Sequence, residues 1–93
     1  MAIELDEEKI EKAREIAKVF GVRRLILFGS ALESPQTARD LDLACEGILD
    51  WSFFAFGARL EEELHLPLDL VPLEPPSRFT ELIKSRGKVL YES

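Results

Sequence analysis

Residues 40–46 of this chain, Asp-Leu-Asp-Leu-Ala-Cys-Glu, place Leu41, Leu43 and Cys45 at alternate positions, and between them stand Asp40, Asp42, Ala44 and Glu46, three of which are acidic. Successive side chains of a β-strand point to opposite faces, so this pattern predicts a strand with one face in a core. Leu41 and Leu43 belong to the core face, and Asp40 and Asp42 share the other face. A buried charge without a partner is costly, so we expect the acidic face to point toward solvent or a partner. The chain must therefore build a sheet that keeps part of one face polar.

Two more segments bear on the acidic strand. The apolar run 23–28 predicts a short strand, and it ends in Gly29-Ser30, with nine residues between Ser30 and Asp40. A third carboxylate, Asp69, stands within another apolar run, residues 68–72, which predicts a third strand. Carboxylate oxygens are the hard ligands that magnesium prefers, and the backbone amides of a Gly-Ser turn can hold phosphates. The three aspartates and the turn together indicate a site for magnesium and a nucleoside triphosphate.

The remaining elements are helices with recognisable ends. Amphipathic spacing predicts helices over residues 6–20, 50–65 and 77–86, with Asp6, Asp50 and Ser77 as N-caps. The second helix has room to cross over between two parallel strands. This order predicts an α/β (α+β) fold with a three-stranded mixed sheet and helices packed on one face. Residues 89–91 are a candidate for a further short strand.

Composition excludes several classes of protein. Ninety-three residues predict one domain, 1–93. The net charge is −6, and acidic residues outnumber basic ones by 18 to 12, which disfavours direct binding to nucleic acid. A single cysteine, Cys45, cannot form an intramolecular disulfide, and we expect it in the core. There is no apolar run of the roughly 20 residues that a membrane span needs, and no basic region before an apolar one at the start. We therefore expect a cytoplasmic protein without a membrane partner.

The motif as a whole resembles a known family. Gly29-Ser30, nine residues, Asp40-Leu-Asp42-Leu and the later Asp69 resemble the signature of the nucleotidyltransferases related to DNA polymerase beta. The short length, the initial helix and the closing segment 83–91 are similar to the minimal nucleotidyltransferases of prokaryotes. The resemblance covers nearly the whole chain and implies the polymerase-beta-like nucleotidyltransferase fold.

That resemblance also implies a reaction and its residues. The activity would be magnesium-dependent transfer of a nucleoside monophosphate, AMP from ATP, onto a hydroxyl group with release of pyrophosphate. Asp40 and Asp42 would hold two magnesium ions, and Asp69 would complete the metal site and serve as the base for the acceptor. Gly29 and Ser30 would hold the triphosphate of ATP.

Family members of this size imply a protein partner. They are usually paired with a small helical HEPN-type protein, often a toxin, and act as its antitoxin by adding AMP to a tyrosine. An assembly of several chains, alike or different, stays open at this point. The four aromatic residues Trp51, Phe53, Phe54 and Phe56 cannot all face one way on a helix, so either all serve the core or part of the set forms a partner surface.

The chain departs from the family pattern after Gly29-Ser30. The family often has an arginine in the next four positions, whereas residues 31–34 are Ala-Leu-Glu-Ser. Glu33 would repel a triphosphate, and Arg39 either replaces the missing cation or pairs with Glu33. The departure supports a second hypothesis, a catalytically weakened module of the same fold that neutralises its helical partner by contact.

Overall fold

The computed structural model describes residues 4–93, which form four helices and four strands. In chain order these are α1 (Glu7–Phe20), β1 (Arg24–Phe28), α2 (Ser30–Glu33), β2 (Leu41–Glu46), α3 (Asp50–Leu64), β3 (Leu68–Pro72), α4 (Arg78–Arg86) and β4 (Lys88–Glu92). Every helix and strand predicted from the sequence is present, and no end differs from the prediction by more than one residue.

Local signals account for where the long helices begin and end. The side chain of Asp6 accepts a hydrogen bond of 2.9 Å from the backbone N–H of Lys9, which caps α1. Gly21 ends α1 in the left-handed conformation with φ of 74°. Ser77 and Thr80 form a reciprocal capping box at the start of α4. The predicted cap of α3 was wrong: Leu49 is the N-cap, and Asp50 lies inside the first turn.

The sheet is mixed and has the strand order β3-β2-β1-β4. β1 pairs antiparallel with both β2 and β4, whereas β2 and β3 are parallel and α3 connects them. The predicted α+β fold with a mixed sheet is thus confirmed, with four strands rather than three. The additional strand, β4, covers what would otherwise be the free edge of β1, and it includes the candidate segment 89–91.

The main core lies on one face of the sheet, under α1 and α3. Leu25 and Leu43 from the central strands are fully buried there, together with Phe56 of α3. Phe20 of α1 and Phe56 pack with ring centroids 5.5 Å apart. This is the face that the alternation of residues 40–46 assigned to the core, and Cys45 is buried in it as expected.

The fourth helix lies on the opposite face, which corrects the prediction that the helices share one face. Ile83 of α4 packs there against Ile26 and Ala44, and Leu73 completes this second, smaller cluster. The reason lies in Ala44: its small apolar side chain interrupts the acidic positions of β2 and gives α4 a surface to cover. The acidic face of the sheet is therefore open only in part.

Glu46, at the end of β2 far from Asp40, also lies on the part of the acidic face that α4 covers. Only 7% of its surface is exposed, and its carboxylate is surrounded by Arg24 at 3.3 Å, with Arg23 and Lys84 at 4.0 Å. The acidic pattern predicted an open position for this residue, but α4 covers it and basic neighbours compensate its charge. The open end of the acidic face is the end that holds Asp40 and Asp42.

The aromatic residues of α3 divide between core and surface. Phe56 is fully buried and Phe53 is half-buried, whereas Trp51 is 86% exposed and Phe54 is 68% exposed. Within residues 4–93, no helix is long and apolar enough to cross a bilayer.

Candidate functional site

Two of the three predicted acidic residues are direct neighbours in the sheet. Asp42 and Asp69 occupy the same register position in the parallel pair of β2 and β3. Residues paired in this way place their side chains on the same face, so both carboxylates project from the face opposite the main core. Asp40 comes immediately before β2, two residues from Asp42, and is exposed like Asp69. The fold therefore brings together the three aspartates that the sequence singled out.

The three aspartates form a cluster of like charge. Burial raises the pKa of Asp42 above its ordinary value of 3.8, and the nearby carboxylates of Asp69 and Asp40 raise it further. Among residues 4–93, none of the ion pairs includes any of these three aspartates. A cluster of this kind favours a cation or a proton between its members.

Gly29 lies against this cluster, at the end of β1. Its φ of 75° and ψ of −154° belong to a region of backbone conformation that is almost restricted to glycine. A Cβ atom at this position would also stand 2.5 Å from Oδ2 of Asp42. The sequence suggested Gly29 as part of a phosphate grip, and the structure adds a steric reason for glycine, namely the room it leaves for the Asp42 carboxylate.

The predicted turn at Ser30 is the start of the short helix α2. The carbonyl of Gly29 accepts hydrogen bonds from the N–H groups of Leu32 and Glu33, at 3.1 and 3.0 Å. The amides of Ser30 and Ala31 open the helix and have no acceptor within it. Ser30 is exposed and Ala31 is buried, and both directly follow Gly29, whose Cβ position lies against Asp42.

Glu33 and Arg39 remain apart from each other. Both side chains are exposed, and neither takes part in an ion pair within residues 4–93. The alternative in which Arg39 pairs with Glu33 is therefore not what the structure shows. The guanidinium group of Arg39, one residue before Asp40, stays available to an anionic ligand.

The aspartates do not form a closed metal cage. In the described part of the chain, no three Asp, Glu, His or Cys side chains converge closely enough to hold an ion on their own. Magnesium, however, is usually bound by one or two carboxylates together with substrate phosphates and water, so it requires no such cage. The like charge clustered around Asp42 and its hard oxygen donors fit this mode of binding.

Sequence reasoning missed two aromatic residues at the site. Phe28 pairs with Asp42 across β1 and β2, and Phe79 of α4 packs on Phe28 with ring centroids 6.0 Å apart. The alternation of β1 places Phe28 on the face of Asp42, which was a readable signal. Phe79 offered none, because its contact depends on α4 crossing to the acidic face.

Comparisons with known proteins now bear on this geometry. No protein-family model matches the chain, and no curated protein matches it. Solved structures do: a toxin–antitoxin complex with AMP-PNP has 26% sequence identity and a TM-score of 0.72, covering 96% of this chain and 75% of that one. The toxin–antitoxin complex MntA-HepT has 20% identity and a TM-score of 0.70, with 95% and 74% of the two chains covered. The fold is that of the minimal nucleotidyltransferases.

A third similar structure is a complex with an AMPylated toxin. It contains a tri-AMPylated HEPN toxin of Shewanella oneidensis in complex with an MNT antitoxin, with 20% identity, a TM-score of 0.72, and 96% and 74% of the chains covered. The resemblance read from Gly29, Ser30 and the three aspartates is confirmed at the level of the fold. The roles of those five residues remain predictions.

Proposed function

We propose that this chain is a nucleotidyltransferase that moves AMP from ATP onto a hydroxyl group of a HEPN-type protein and acts as its antitoxin. The observation that carries the proposal is the placement of Asp40, Asp42 and Asp69 on one open end of the sheet, beside the turn at Gly29 and Ser30. The similar structures support it, since one contains AMP-PNP and another an AMPylated toxin.

In this proposal, different residues of the chain bind the metal, bind the phosphates and accept the proton. Asp40 and Asp42 would hold magnesium, which when bound supplies positive charge for the triphosphate and the leaving pyrophosphate. The first amides of α2, at Ser30 and Ala31, would receive phosphate oxygens, and Arg39 would add the cation missing after Gly29-Ser30. Asp69 would accept the proton of the acceptor hydroxyl group. The hydroxyl oxygen would then bond to the α-phosphorus of ATP as the bond between the α-phosphorus and pyrophosphate breaks.

The direct test is transfer of label from α-labelled ATP in the presence of magnesium and the HEPN-type partner. We expect label on the partner with the unaltered chain, and no label with Asp69→Asn. Glu62→Gln, which removes an exposed carboxylate on α3 away from the cluster, is the matched control and should transfer normally. A folded preparation that binds the partner but transfers no nucleotide would refute the proposal.

A second candidate function, neutralisation of the partner by contact alone, is favoured by one surface. Leu49, Trp51 and Phe54 around the start of α3 are 66%, 86% and 68% exposed, more apolar area than a surface helix needs. If contact suffices, Trp51→Ala with Phe54→Ala should weaken both the complex and the neutralisation. Replacing Asp40 and Asp42 by alanine should then leave both unchanged. Loss of neutralisation in that aspartate variant, with the complex intact, would exclude contact as the whole explanation.

A further inference from the structure

The aromatic pair Phe28–Phe79 borders the acidic cluster directly. Phe28 and Asp42 are partners across the antiparallel pair of β1 and β2, and such partners have Cβ atoms about 4.5–5.5 Å apart on the same face. Phe28 is half-buried in the small cluster under α4. The wall of the site on the side of β1 is therefore aromatic.

Phe79 extends this wall into solvent. Its ring meets that of Phe28 edge to face, with an interplanar angle of 81° and centroids 6.0 Å apart. More than half of the residue's surface, 54%, nevertheless remains exposed. Packing against Phe28 restrains the orientation of the ring, and the exposed surface leaves room for a second flat group to stack on it.

Position distinguishes Phe79 from the other exposed apolar residues. Val19 lies on α1, and Leu49, Trp51 and Phe54 lie around the start of α3, on elements packed against or continuous with the opposite face of the sheet. Leu82 of α4 and Val89 of β4 are also exposed, but neither has a ring that could stack on a base. Phe79 is the exposed aromatic residue of α4, which covers the acidic face, and it touches the cross-strand partner of Asp42. A ligand held at the aspartates by its phosphates thus has Phe79 within the same continuous surface.

We propose that Phe79 is the stacking platform for the nucleobase of the nucleoside triphosphate, with Phe28 holding its ring in place. The inference rests on the proposed function, since it takes the triphosphate to lie at Asp40, Asp42 and the Gly29–Ser30 turn. Stacking on an aromatic ring is tolerant of base identity, because every base has a flat face. Phe79 therefore supplies affinity for a base in general, and larger purines gain more from it than pyrimidines.

The experiment compares ATP with inorganic triphosphate, which has the phosphates but no base. Binding of each, with magnesium, is measured by calorimetry for the unaltered chain, Phe79→Ala, Phe79→Tyr and Leu82→Ala. Leu82 is the matched control, because it lies on the same helix and is exposed to a similar extent, 48%. We expect Phe79→Ala to weaken ATP binding about 5- to 150-fold, the range for loss of one base–aromatic stack. Inorganic triphosphate should bind Phe79→Ala as before, and Phe79→Tyr should restore ATP binding.

The outcomes separate this inference from the proposed function. If the unaltered chain binds neither ATP nor triphosphate, the proposed function fails and the inference fails with it. If ATP binds but Phe79→Ala binds it equally well, the inference alone is overturned. Equal weakening of ATP and triphosphate would also overturn it, because that pattern indicates a general disturbance of α4. Circular dichroism of each variant confirms that the compared preparations are folded.

Discussion

Gly29 leaves just enough room for the carboxylate of Asp42: a Cβ atom on Gly29 would stand 2.5 Å from Oδ2 of Asp42. The residue that follows β1 thus lies in close contact with the Asp42 carboxylate of the neighbouring strand β2. The contact explains why the turn after β1 begins with glycine.

Gly29→Ala should destabilise the protein, because it adds both a strained backbone conformation and a clash. Gly21→Ala is the matched control, since Gly21 has nearly the same φ, 74°, but no atom within 4 Å of its Cβ position. We expect Gly21→Ala to lower the free energy of unfolding by about 1–2 kcal/mol, the cost of the left-handed conformation. Gly29→Ala should cost about 1–3 kcal/mol more. Urea unfolding measures both, and equal losses would contradict the close approach to Asp42.

Asp42→Asn should abolish transfer without destabilising the fold. The change removes a charge that burial and two carboxylates disfavour, so the free energy of unfolding should stay equal or rise. Transfer of labelled AMP should fall by roughly 100-fold or more, since Asp42 is one of the two residues proposed to hold magnesium. Glu62→Gln should alter neither quantity. A large loss of stability in Asp42→Asn would mean that its charge is compensated in a way that the structure does not show.

The stability gained by Asp42→Asn should depend on pH in a defined direction. The pKa of Asp42 is raised in the folded state, so the folded protein binds a proton more tightly than the unfolded one. The charged form therefore costs stability at neutral pH, and that cost disappears as the pH falls through the raised pKa toward 3.8. Unfolding curves of both proteins across this range should converge at low pH. A difference that widens on acidification would reverse the assigned sign.

Glu33→Gln should tighten binding of ATP. Glu33 is the last residue of α2 and is exposed without an ion-pair partner in the described chain, close to the turn proposed for the phosphates. Removing its charge should raise the affinity about two- to fivefold at low salt, an effect that added salt screens. Arg39→Gln should lower it by a similar factor. The exposed Glu15 of α1 provides the control, Glu15→Gln, which should leave the affinity for ATP unchanged. Identical affinities for all variants would show that Glu33 does not lie near the bound phosphates.

Cys45 should be inert toward thiol reagents in the folded protein. Burial, and secondarily the charge of Glu74, raises the pKa of the Cys45 thiol to about 12. Only 1% of the residue is exposed, so a reagent reaches the sulfur only after unfolding. We expect negligible labelling at mildly alkaline pH and complete labelling in concentrated urea. Rapid labelling of the native protein would argue against the position of β2 in the core.

Local signals determined much of this protein. The alternation of residues 40–46 is a property of consecutive positions, so it identified β2, its core face and its acidic face without any knowledge of the neighbours. Asp6, Gly21 and Ser77 likewise mark helix ends through contacts within a few residues. The spacing of Gly29-Ser30, Asp40, Asp42 and Asp69 sufficed to indicate the nucleotidyltransferase fold.

The tertiary structure decided which surfaces meet. The side of the sheet that α4 covers depends on Ile83 meeting Ile26 and Ala44, residues far apart in the chain. That placement buries Glu46 among basic groups, leaves Asp42 beside Asp69 at the open end, and sets Phe79 on Phe28. Strand periodicity tells which residues share a face, whereas only the packing of distant segments tells what covers that face. For this reason the acidic residues of the site and the face that carries Phe28 were readable from the sequence, whereas the contact of Phe79 with Phe28 was not.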